Sequence, residues 1–213
     1  MTKLAAPYRR ATSEDVPELP KLVNLAGDGL PLYLWAKLAG ADESPWDVAA
    51  KRARSGKGGF AYENTIIREE GGKVAACLIG YPLSCAPQVH DLNDVPAMVV
   101  PLYELEHLVP GTWYVNVLAT FPEFQGNGIG TELLHVAEAL ARDSLCAGLS
   151  LIVSDANVGA RRLYERHGFR QQATRPIVKE DWQHTGQNWV LLTKDFPHSK
   201  CDSPRLVLPS AFR

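Results

Sequence analysis

Hydrophobic and polar residues alternate most regularly just past the middle of the chain, from Trp113 to Thr120. These residues are mainly aromatic, β-branched or apolar, and a period of two predicts a strand. The same period predicts that one face of this strand carries four apolar side chains: Trp113, Val115, Val117 and Ala119. After a glycine-rich segment, residues 125–130, apolar residues recur every three or four positions from Leu133 to Leu140, which predicts a helix. The pattern therefore predicts a strand, a glycine-rich turn and a helix in succession.

A second strand and helix are predicted directly afterwards. Leu149 to Ser154 is an apolar run typical of a buried strand. Asn157 is a suitable N-cap and Gly168 is typical of a helix end, so a helix is predicted between them, through His167. Asn157 and Tyr164 are seven positions apart, which is two helical turns, so they are expected near one face of this helix.

The rest of the chain predicts further elements on both sides of this centre. The predicted strands are Tyr8–Ala11, Phe60–Arg68, Lys73–Tyr81, Phe169–Thr174 and Trp189–Thr193. A first helix is predicted after a cap at Thr12 or Ser13, and further helices are predicted at Leu32–Leu38, Trp46–Arg54 and Leu102–His107. We expect one domain over residues 1–197, in which proline-rich residues 82–110 form an insertion. That insertion is interpreted as a substrate-side lid or an oligomer contact, and residues 198–213 as a tail that adds a strand, contacts a partner or stays loose.

Composition excludes several classes of function. The 213 residues carry a net charge of −2 and no long basic run, so neither nucleic acid nor an anionic membrane is expected as a partner. An apolar span of eighteen residues is absent from the sequence. The four cysteines (Cys77, Cys85, Cys146 and Cys201) are scattered, which favours reduced thiols and a cytoplasmic location. His, Cys and Asp residues do not show metal-ligand spacing, so no metal is expected.

The glycine-rich turn predicts a phosphate site, because it places backbone N–H groups at the positive end of a helix dipole. A P-loop would need Gly-Lys-Ser/Thr, and Thr131 follows Gly130 directly. A dinucleotide fingerprint needs a third glycine where Thr131 stands. Asp155, after the next strand, stands where a dinucleotide-binding fold carries its ribose-binding acid. The dinucleotide alternative is therefore weakened but not excluded. The third interpretation is the pattern Q-x-x-G-x-G, formed by Gln125, Gly128 and Gly130.

Two motifs together resemble the GNAT superfamily of acyl-CoA N-acyltransferases. The first is Q-x-x-G-x-G, and the second, N-x-x-A-x-x-x-Y-E-x-x-G-F, runs from Asn157 to Phe169. Both occur in the order and spacing of the family, and the resemblance is specific over residues 110 to 175. It implies an α/β (α+β) fold: a mixed, mostly antiparallel central sheet with splayed parallel strands at its middle, flanked by helices.

The resemblance also implies acetyl-CoA as cosubstrate and a set of residues that bind it. The pyrophosphate would bind the backbone of the loop: Gln125, Gly126, Asn127, Gly128, Ile129 and Gly130. The pantetheine arm would pair with Leu118, Ala119 and Thr120, near which a backbone N–H would polarise the thioester carbonyl. Asn157 would bond the pantetheine or the thioester region.

Tyr164 and Glu106 are the expected catalytic side chains. Tyr164 would donate a proton to the leaving thiolate, since a phenol has a pKa of about 10. Glu106, which precedes the central strand, would serve as general base for the amine. Cys77 and Cys146 lie in apolar runs and are interpreted as core thiols.

The resulting hypothesis is an N-acetyltransferase that moves an acetyl group from acetyl-CoA to a primary amine by direct transfer in a ternary complex. The expected acceptor is a small molecule or a peptide, and a homodimer is left open. The alternatives are a non-catalytic acyl-CoA sensor on the same fold and, less favoured, a nicotinamide dinucleotide enzyme.

Overall fold

The structure, a computed structural model, describes residues 4–55, 59–86 and 95–197, so the predicted tail and Cys201 lie outside the described residues. Within these residues a single sheet has the strand order β1-β2-β3-β4-β5-β7-β6. Its strands are β1 Tyr8–Arg10, β2 Thr65–Glu70, β3 Lys73–Pro82, β4 Trp113–Thr120, β5 Gly148–Ser154, β6 Arg170–Pro176 and β7 Asn188–Asp195. The helices are α1 Leu19–Ala26, α2 Leu30–Leu38, α3 Pro45–Arg54, α4 Val100–Glu106, α5 Ile129–Asp143 and α6 Val158–Arg166. None of these helices is long and apolar enough to cross a membrane.

The sequence placed most of these elements within a few residues of their observed ends. The chief correction is the strand predicted from Phe60, whose first part is a 3-10 turn, Tyr62–Asn64, before β2 starts at Thr65. The segment after Thr12 is also not one helix. It begins as a 3-10 turn closed by a capping box between Thr12 and Asp15, and α1 starts later, at Leu19.

A β-bulge at Asn116 changes which side chains of β4 share a face. Ile79 of β3 pairs with Val117, and the next residue, Gly80, pairs with Val115, so Asn116 is the extra residue. As a result Trp113 and Val115 pack into one hydrophobic cluster, whereas Val117 and Ala119 pack into another. The predicted four-residue apolar face is therefore wrong, because a strict period of two holds only where every residue of a strand is paired.

The two faces of the sheet are covered by different helices. One face packs against α5 and α6 through Leu133, Leu149 and Tyr164, and we call it the α5–α6 face. The opposite face packs against α1 to α4 and is called the α1–α4 face; Leu22, Leu105 and Leu191 are buried there. A sheet covered on both sides buries a core on each face, which fixes the positions of its central strands.

The parallel pair at the middle of the sheet opens along its length. β4 and β5 are paired only at Trp113–Leu149, Tyr114–Ser150 and Val115–Leu151. β3 stays paired with β4 as far as Thr120, and β7 stays paired with β5 as far as Ser154. The strands therefore splay beyond Val115, and the edge of β4 that faces β5 has no strand partner from there on.

Candidate active site

A cleft of about 290 Å³ lies where β4 and β5 separate. It is lined from both faces of the sheet, so it passes between the two strands. The lining residues come from the end of α1, the α1–α2 loop, β4, the glycine-rich loop, β5, α6 and β7: Leu25, Ala26, Gly27, Asp28, Val115, Asn116, Leu118, Ala119, Thr120, Gln125, Leu151, Ile152, Val153, Ser154, Asn157, Ala160, Tyr164 and Trp189. Residues on both faces of the sheet therefore line one cleft.

The glycine-rich loop ends at the N-terminus of α5, close to the cleft. Gly126 and Gly128 have φ values of +81° and +80°, and a Cβ at either residue would meet no atom within 4 Å. Gly128 is the N-cap of α5, and no side chain caps the helix. The first N–H groups of a 15-residue helix are thus left for a ligand, and the geometry fits a phosphate.

Other residues of this loop have structural roles. The Gln125 side chain donates to the carbonyl of Thr120 at 3.0 Å, and that of Asn127 to the carbonyl of Phe124 at 3.2 Å. The Ile129 side chain is buried in the core. A Cβ on Gly130 would lie 3.0 Å from Leu163 of α6, so this glycine permits close packing of α5 and α6. The loop therefore offers backbone groups and keeps its side chains occupied.

The predicted pantetheine residues lie at the unpaired edge of β4. Leu118, Ala119 and Thr120 all line the cleft. Because β5 diverges from β4 here, this edge has no strand partner, although the Thr120 carbonyl accepts from the Gln125 side chain. An extended chain containing amide groups can occupy such an edge by strand-type hydrogen bonding.

Asn157 and Tyr164 both line the cleft from α6, as expected for residues seven positions apart on one helix. Asn157 caps this helix, and its Oδ1 accepts from the backbone N–H of Ala160 at 3.1 Å. That bond uses Oδ1 and not the Nδ2 amide. Tyr164 is only 7% exposed, and burial raises the pKa of its phenol to about 12.

Glu106 lies outside the residues that line the cleft. It ends α4 on the α1–α4 face, and its carboxylate accepts a hydrogen bond from the Tyr114 phenol. Burial raises the pKa of Glu106 to about 7, although the bond from Tyr114 acts in the opposite direction. Tyr114 directly precedes the cleft residue Val115 in β4. The ring of Tyr81 packs edge-on against the ring of Tyr114, with their centroids 5.8 Å apart. The carboxyl therefore contacts a residue that neighbours the cleft lining and is not itself part of that lining.

The sequence interpretation missed the part of the cleft on the α1–α4 face. Ser154, Trp189 and residues 25–28, which end α1 and begin the α1–α2 loop, line it there. Ser154 was recognised only as the end of a strand, and Trp189 only as the start of one. The buried indole Nε1 of Trp189 has no hydrogen-bond partner in the described part of the chain. A tryptophan two residues into a closing strand gives no signal that it faces a cleft.

Asp155 has a structural function that removes the dinucleotide alternative. Its carboxylate accepts from the backbone N–H groups of Gln187 and Asn188 at 2.9 and 3.0 Å, and from the Asn188 side chain at 3.1 Å. The acid therefore ties down the segment before β7 and is not directed at a ribose. The mostly antiparallel sheet is likewise unlike the parallel sheet of a dinucleotide-binding fold.

The cysteines among the described residues (Cys77, Cys85 and Cys146) do not line the cleft. Cys77 and Cys146 are buried in the core, as predicted, and burial raises the pKa of Cys77 to about 12, which leaves a thiol rather than a reactive thiolate. Among residues 4–55, 59–86 and 95–197, no three His, Cys, Asp or Glu side chains are grouped so that they could hold a metal ion.

Comparison with known proteins gives consistent matches. The model of the acetyltransferase (GNAT) family matches residues 32–169. An uncharacterized N-acetyltransferase of Methanocaldococcus jannaschii is 32% identical over 118 residues, which cover 55% of this chain and 72% of that protein. An N-acetyltransferase structure from Staphylococcus aureus Mu50 superposes with a TM-score of 0.63 at 22% identity, over 89% of this chain and all of the other. A second acetyltransferase structure superposes with a TM-score of 0.62 at 23% identity, over 89% and 99% of the two chains.

Proposed function

Since the chain belongs to the acetyltransferase (GNAT) family, we propose that it transfers an acetyl group from acetyl-CoA to a primary amine while both are bound. One observation carries the proposal: the cleft between β4 and β5 is lined from both faces of the sheet, and it includes Gln125, the first residue of the loop that leads to the uncapped N-terminus of α5. Acetyl-CoA supplies an acetyl group activated as a thioester. A direct transfer needs the two substrates to meet inside one cleft, and this cleft reaches both faces of the sheet.

The residues present fit acetyl-CoA along the α5–α6 face. The N–H groups from Gly126 to Gly130 would hold its pyrophosphate, since Gly126 and Gly128 leave the space above the loop open. The unpaired edge of β4 from Leu118 to Thr120 would pair with its pantetheine arm. Asn157 would add its Nδ2 amide to the same arm. Apart from Gln125, whose side chain bonds the Thr120 carbonyl, these are the residues that the family resemblance implies for the pyrophosphate and the pantetheine arm.

Tyr164 is proposed to act on the leaving sulfur. Its phenol stays protonated at every pH at which the protein works, because its pKa is about 12. A thiol has a pKa of about 8.5, so complete proton transfer from this phenol to a free thiolate is uphill by about 5 kcal/mol. The phenol is therefore proposed to donate a hydrogen bond to the charge that develops on sulfur, with the proton following as that charge becomes complete.

Glu106 is proposed to accept the proton that leaves the amine nitrogen as the new C–N bond forms. A carboxyl with a pKa of about 7 is well suited to this, because a general base works best when its pKa is near the working pH. It lies outside the cleft lining next to Tyr114, so the proton would reach it through a water held near Asn116, which lines the cleft.

A direct assay tests the proposed function. The protein is mixed with acetyl-CoA and a panel of primary amines, and release of free thiol is followed together with the mass of the acetylated amine. Turnover of at least one amine supports the enzyme. Tight binding of acetyl-CoA without turnover of any acceptor would instead support the non-catalytic acyl-CoA sensor.

The pKa of Glu106 predicts an effect on stability that needs no knowledge of the acceptor. A carboxyl whose pKa is about 7 when folded and about 4.5 when unfolded stabilises the fold fully below pH 4.5 and loses that contribution as the pH rises through 7. Glu106→Gln removes the ionisation. We expect the free energy of unfolding of the variant, relative to that of the wild type, to increase by up to about 3 kcal/mol between pH 5 and pH 8. Urea unfolding at several pH values measures the difference.

The exposed acid Glu123 offers a control, because Glu123→Gln lies in the turn after β4 and away from Tyr114. The difference in free energy of unfolding between this variant and the wild type should stay constant over the same pH range. If Glu106→Gln shows the same constant difference, the carboxyl titrates as a solvated group, and its role as a base near neutral pH is wrong.

A further inference from the structure

A serine and a histidine form a hydrogen-bonded pair on the α1–α4 face of the cleft, where the amine must enter. Ser154 ends β5, is 3% exposed and lines the cleft. Its Oγ lies 2.7 Å from Nε2 of His184, a half-buried residue of the segment between β6 and β7. Neither residue belongs to the two sequence motifs, and neither has a part in the transfer described so far.

The other contact of the serine hydroxyl leaves its hydrogen and one lone pair for His184 and the cleft. A hydroxyl has one hydrogen to donate and two lone pairs. The backbone N–H of Ala156 donates to Ser154 Oγ at 3.2 Å, which occupies one lone pair. If the hydroxyl hydrogen is donated to His184 Nε2, the second lone pair is left for a group in the cleft. Ser154 can then accept a proton on one side and pass its own proton to His184 on the other.

The surroundings of His184 hold it in place for this contact. Its ring is stacked on Trp182, with centroids 4.3 Å apart and an angle of 7° between the planes. The indole N–H of Trp182 in turn donates to the backbone carbonyl of Asp28, a cleft residue, at 3.1 Å. The stack thus ties the histidine to the α1–α2 loop on the other side of the cleft.

Gly186 leaves the space in which the pair meets. A Cβ at this residue would overlap Ser154 Oγ and would lie 2.6 Å from His184 Nε2. The φ of Gly186 is not in the left-handed region, so backbone conformation does not require the glycine here. Asp155 fixes the same segment by binding the N–H groups of Gln187 and Asn188. The described contacts therefore require a residue without a side chain at position 186.

We propose that Ser154 and His184 remove the proton that an alkylammonium acceptor must lose before it can attack. The N–H⁺ proton of the amine passes to Ser154 Oγ while the Ser154 hydroxyl proton passes to His184 Nε2. The imidazolium then returns one proton to water, since His184 is only half-buried, and exchange with water restores the tautomer that accepts from Ser154. This inference rests on the proposed function, and it assigns residues to the deprotonation of the ammonium group, which the proposed function left unassigned.

The pair and Glu106 handle different protons. An ammonium group loses one proton before attack and a second one as the C–N bond forms. The first loss matters only for amines that are charged at the assay pH. An alkylamine with a pKa of about 10.4 is neutral in only about one molecule in a thousand at pH 7.5. A weakly basic amine is already neutral there and needs only the second proton removed.

Two isosteric acceptors separate these steps. Ethylamine is charged at pH 7.5, whereas O-methylhydroxylamine has the same number of heavy atoms and is neutral. Acetylation of each is measured by thiol release and mass for the wild type and for His184→Gln, whose side-chain amide can still bond Ser154 but cannot carry the proton. We expect kcat/KM for ethylamine to fall about 100-fold and that for O-methylhydroxylamine to change less than threefold.

Further variants guard against a merely structural effect. Ser154→Ala and the double variant Ser154→Ala/His184→Gln should each show the same selective loss, with no additional loss in the double variant, because the two residues act as one unit. His135→Gln replaces an exposed histidine on α5 and should leave both acceptors unaffected. The melting temperature with and without acetyl-CoA confirms that each variant folds and binds the coenzyme.

The results distinguish two kinds of failure. An equal loss for both acceptors in His184→Gln, or no loss for either, overturns the proton-relay inference while the proposed function stands. If the wild type acetylates neither these nor any other amine, the proposed function itself fails, and the inference that rests on it fails too.

Discussion

Replacing Tyr164 with phenylalanine is expected to lower kcat for acetyl transfer about 100-fold while the affinity for acetyl-CoA stays within about twofold. The substitution removes only the hydroxyl from a residue that is buried, lines the cleft and packs against Phe169 at 5.8 Å between ring centroids. The ring keeps its packing, so the fold and the coenzyme groove should persist. The lost hydrogen bond acts on charge that develops on sulfur only in the transition state, so its removal lowers kcat and not ground-state binding.

Steady-state kinetics with any acceptor identified by the amine panel, together with calorimetric titration of acetyl-CoA, measure both quantities. Tyr33→Phe is the matched control. It also removes one phenol hydroxyl, in this case one that bonds Glu180 at 3.3 Å outside the cleft lining, and it should leave kcat unchanged. A Tyr164→Phe variant with wild-type kcat would mean that the phenol only fills space, and the role proposed for it at the sulfur would have to be abandoned.

Replacing Gly128 with aspartate is expected to weaken acetyl-CoA binding at least 100-fold without unfolding the protein. Gly128 is the N-cap of α5, and the region around its missing Cβ is open, so the new side chain has room. Aspartate tolerates a φ of +80° better than most residues, and a negative charge at a helix N-terminus is favourable. The carboxylate would, however, lie beside the amides proposed to bind the pyrophosphate, where two like charges about 4 Å apart repel by several kcal/mol.

Gly71→Asp provides the comparison for this variant. Gly71 also has a positive φ, +56°, and open space around it, but it lies in the turn between β2 and β3. The Gly71→Asp variant should have similar backbone strain and should bind acetyl-CoA with wild-type affinity. Isothermal titration calorimetry with acetyl-CoA, at fixed ionic strength, compares the two variants. Equal affinity in both would show that the phosphates bind elsewhere, and the interpretation of the glycine-rich loop would be wrong.

The local parts of this protein were predictable because short-range physics determines them. Asn157 and Tyr164 reach one cleft because they stand two turns apart on α6, and that separation follows from sequence spacing alone. The uncapped start of α5 follows equally from the glycines that precede it. The Gly71-Gly72 turn predicted the β2–β3 hairpin for the same reason, since both residues take a positive φ.

Other features depended on distant partners and were missed or misplaced. The extra residue at Asn116 exists because Gly80 of β3 pairs with Val115, and an alternating sequence does not show where a neighbouring strand skips a residue. Glu106 was chosen from its position before β4, yet its carboxyl bonds Tyr114 outside the cleft lining. Ser154 and His184 are 30 positions apart, and no motif connects them.

The sequence by itself determined the family, the order of strands and helices, and the loop and helix proposed to grip the coenzyme, because each of these is written in neighbouring residues. Only the tertiary structure decided where β4 and β5 part, which faces their side chains take and which groups meet on the acceptor side. Those properties arise from pairing and packing between segments far apart in the chain, and the free energy of such contacts cannot be assigned from either segment alone.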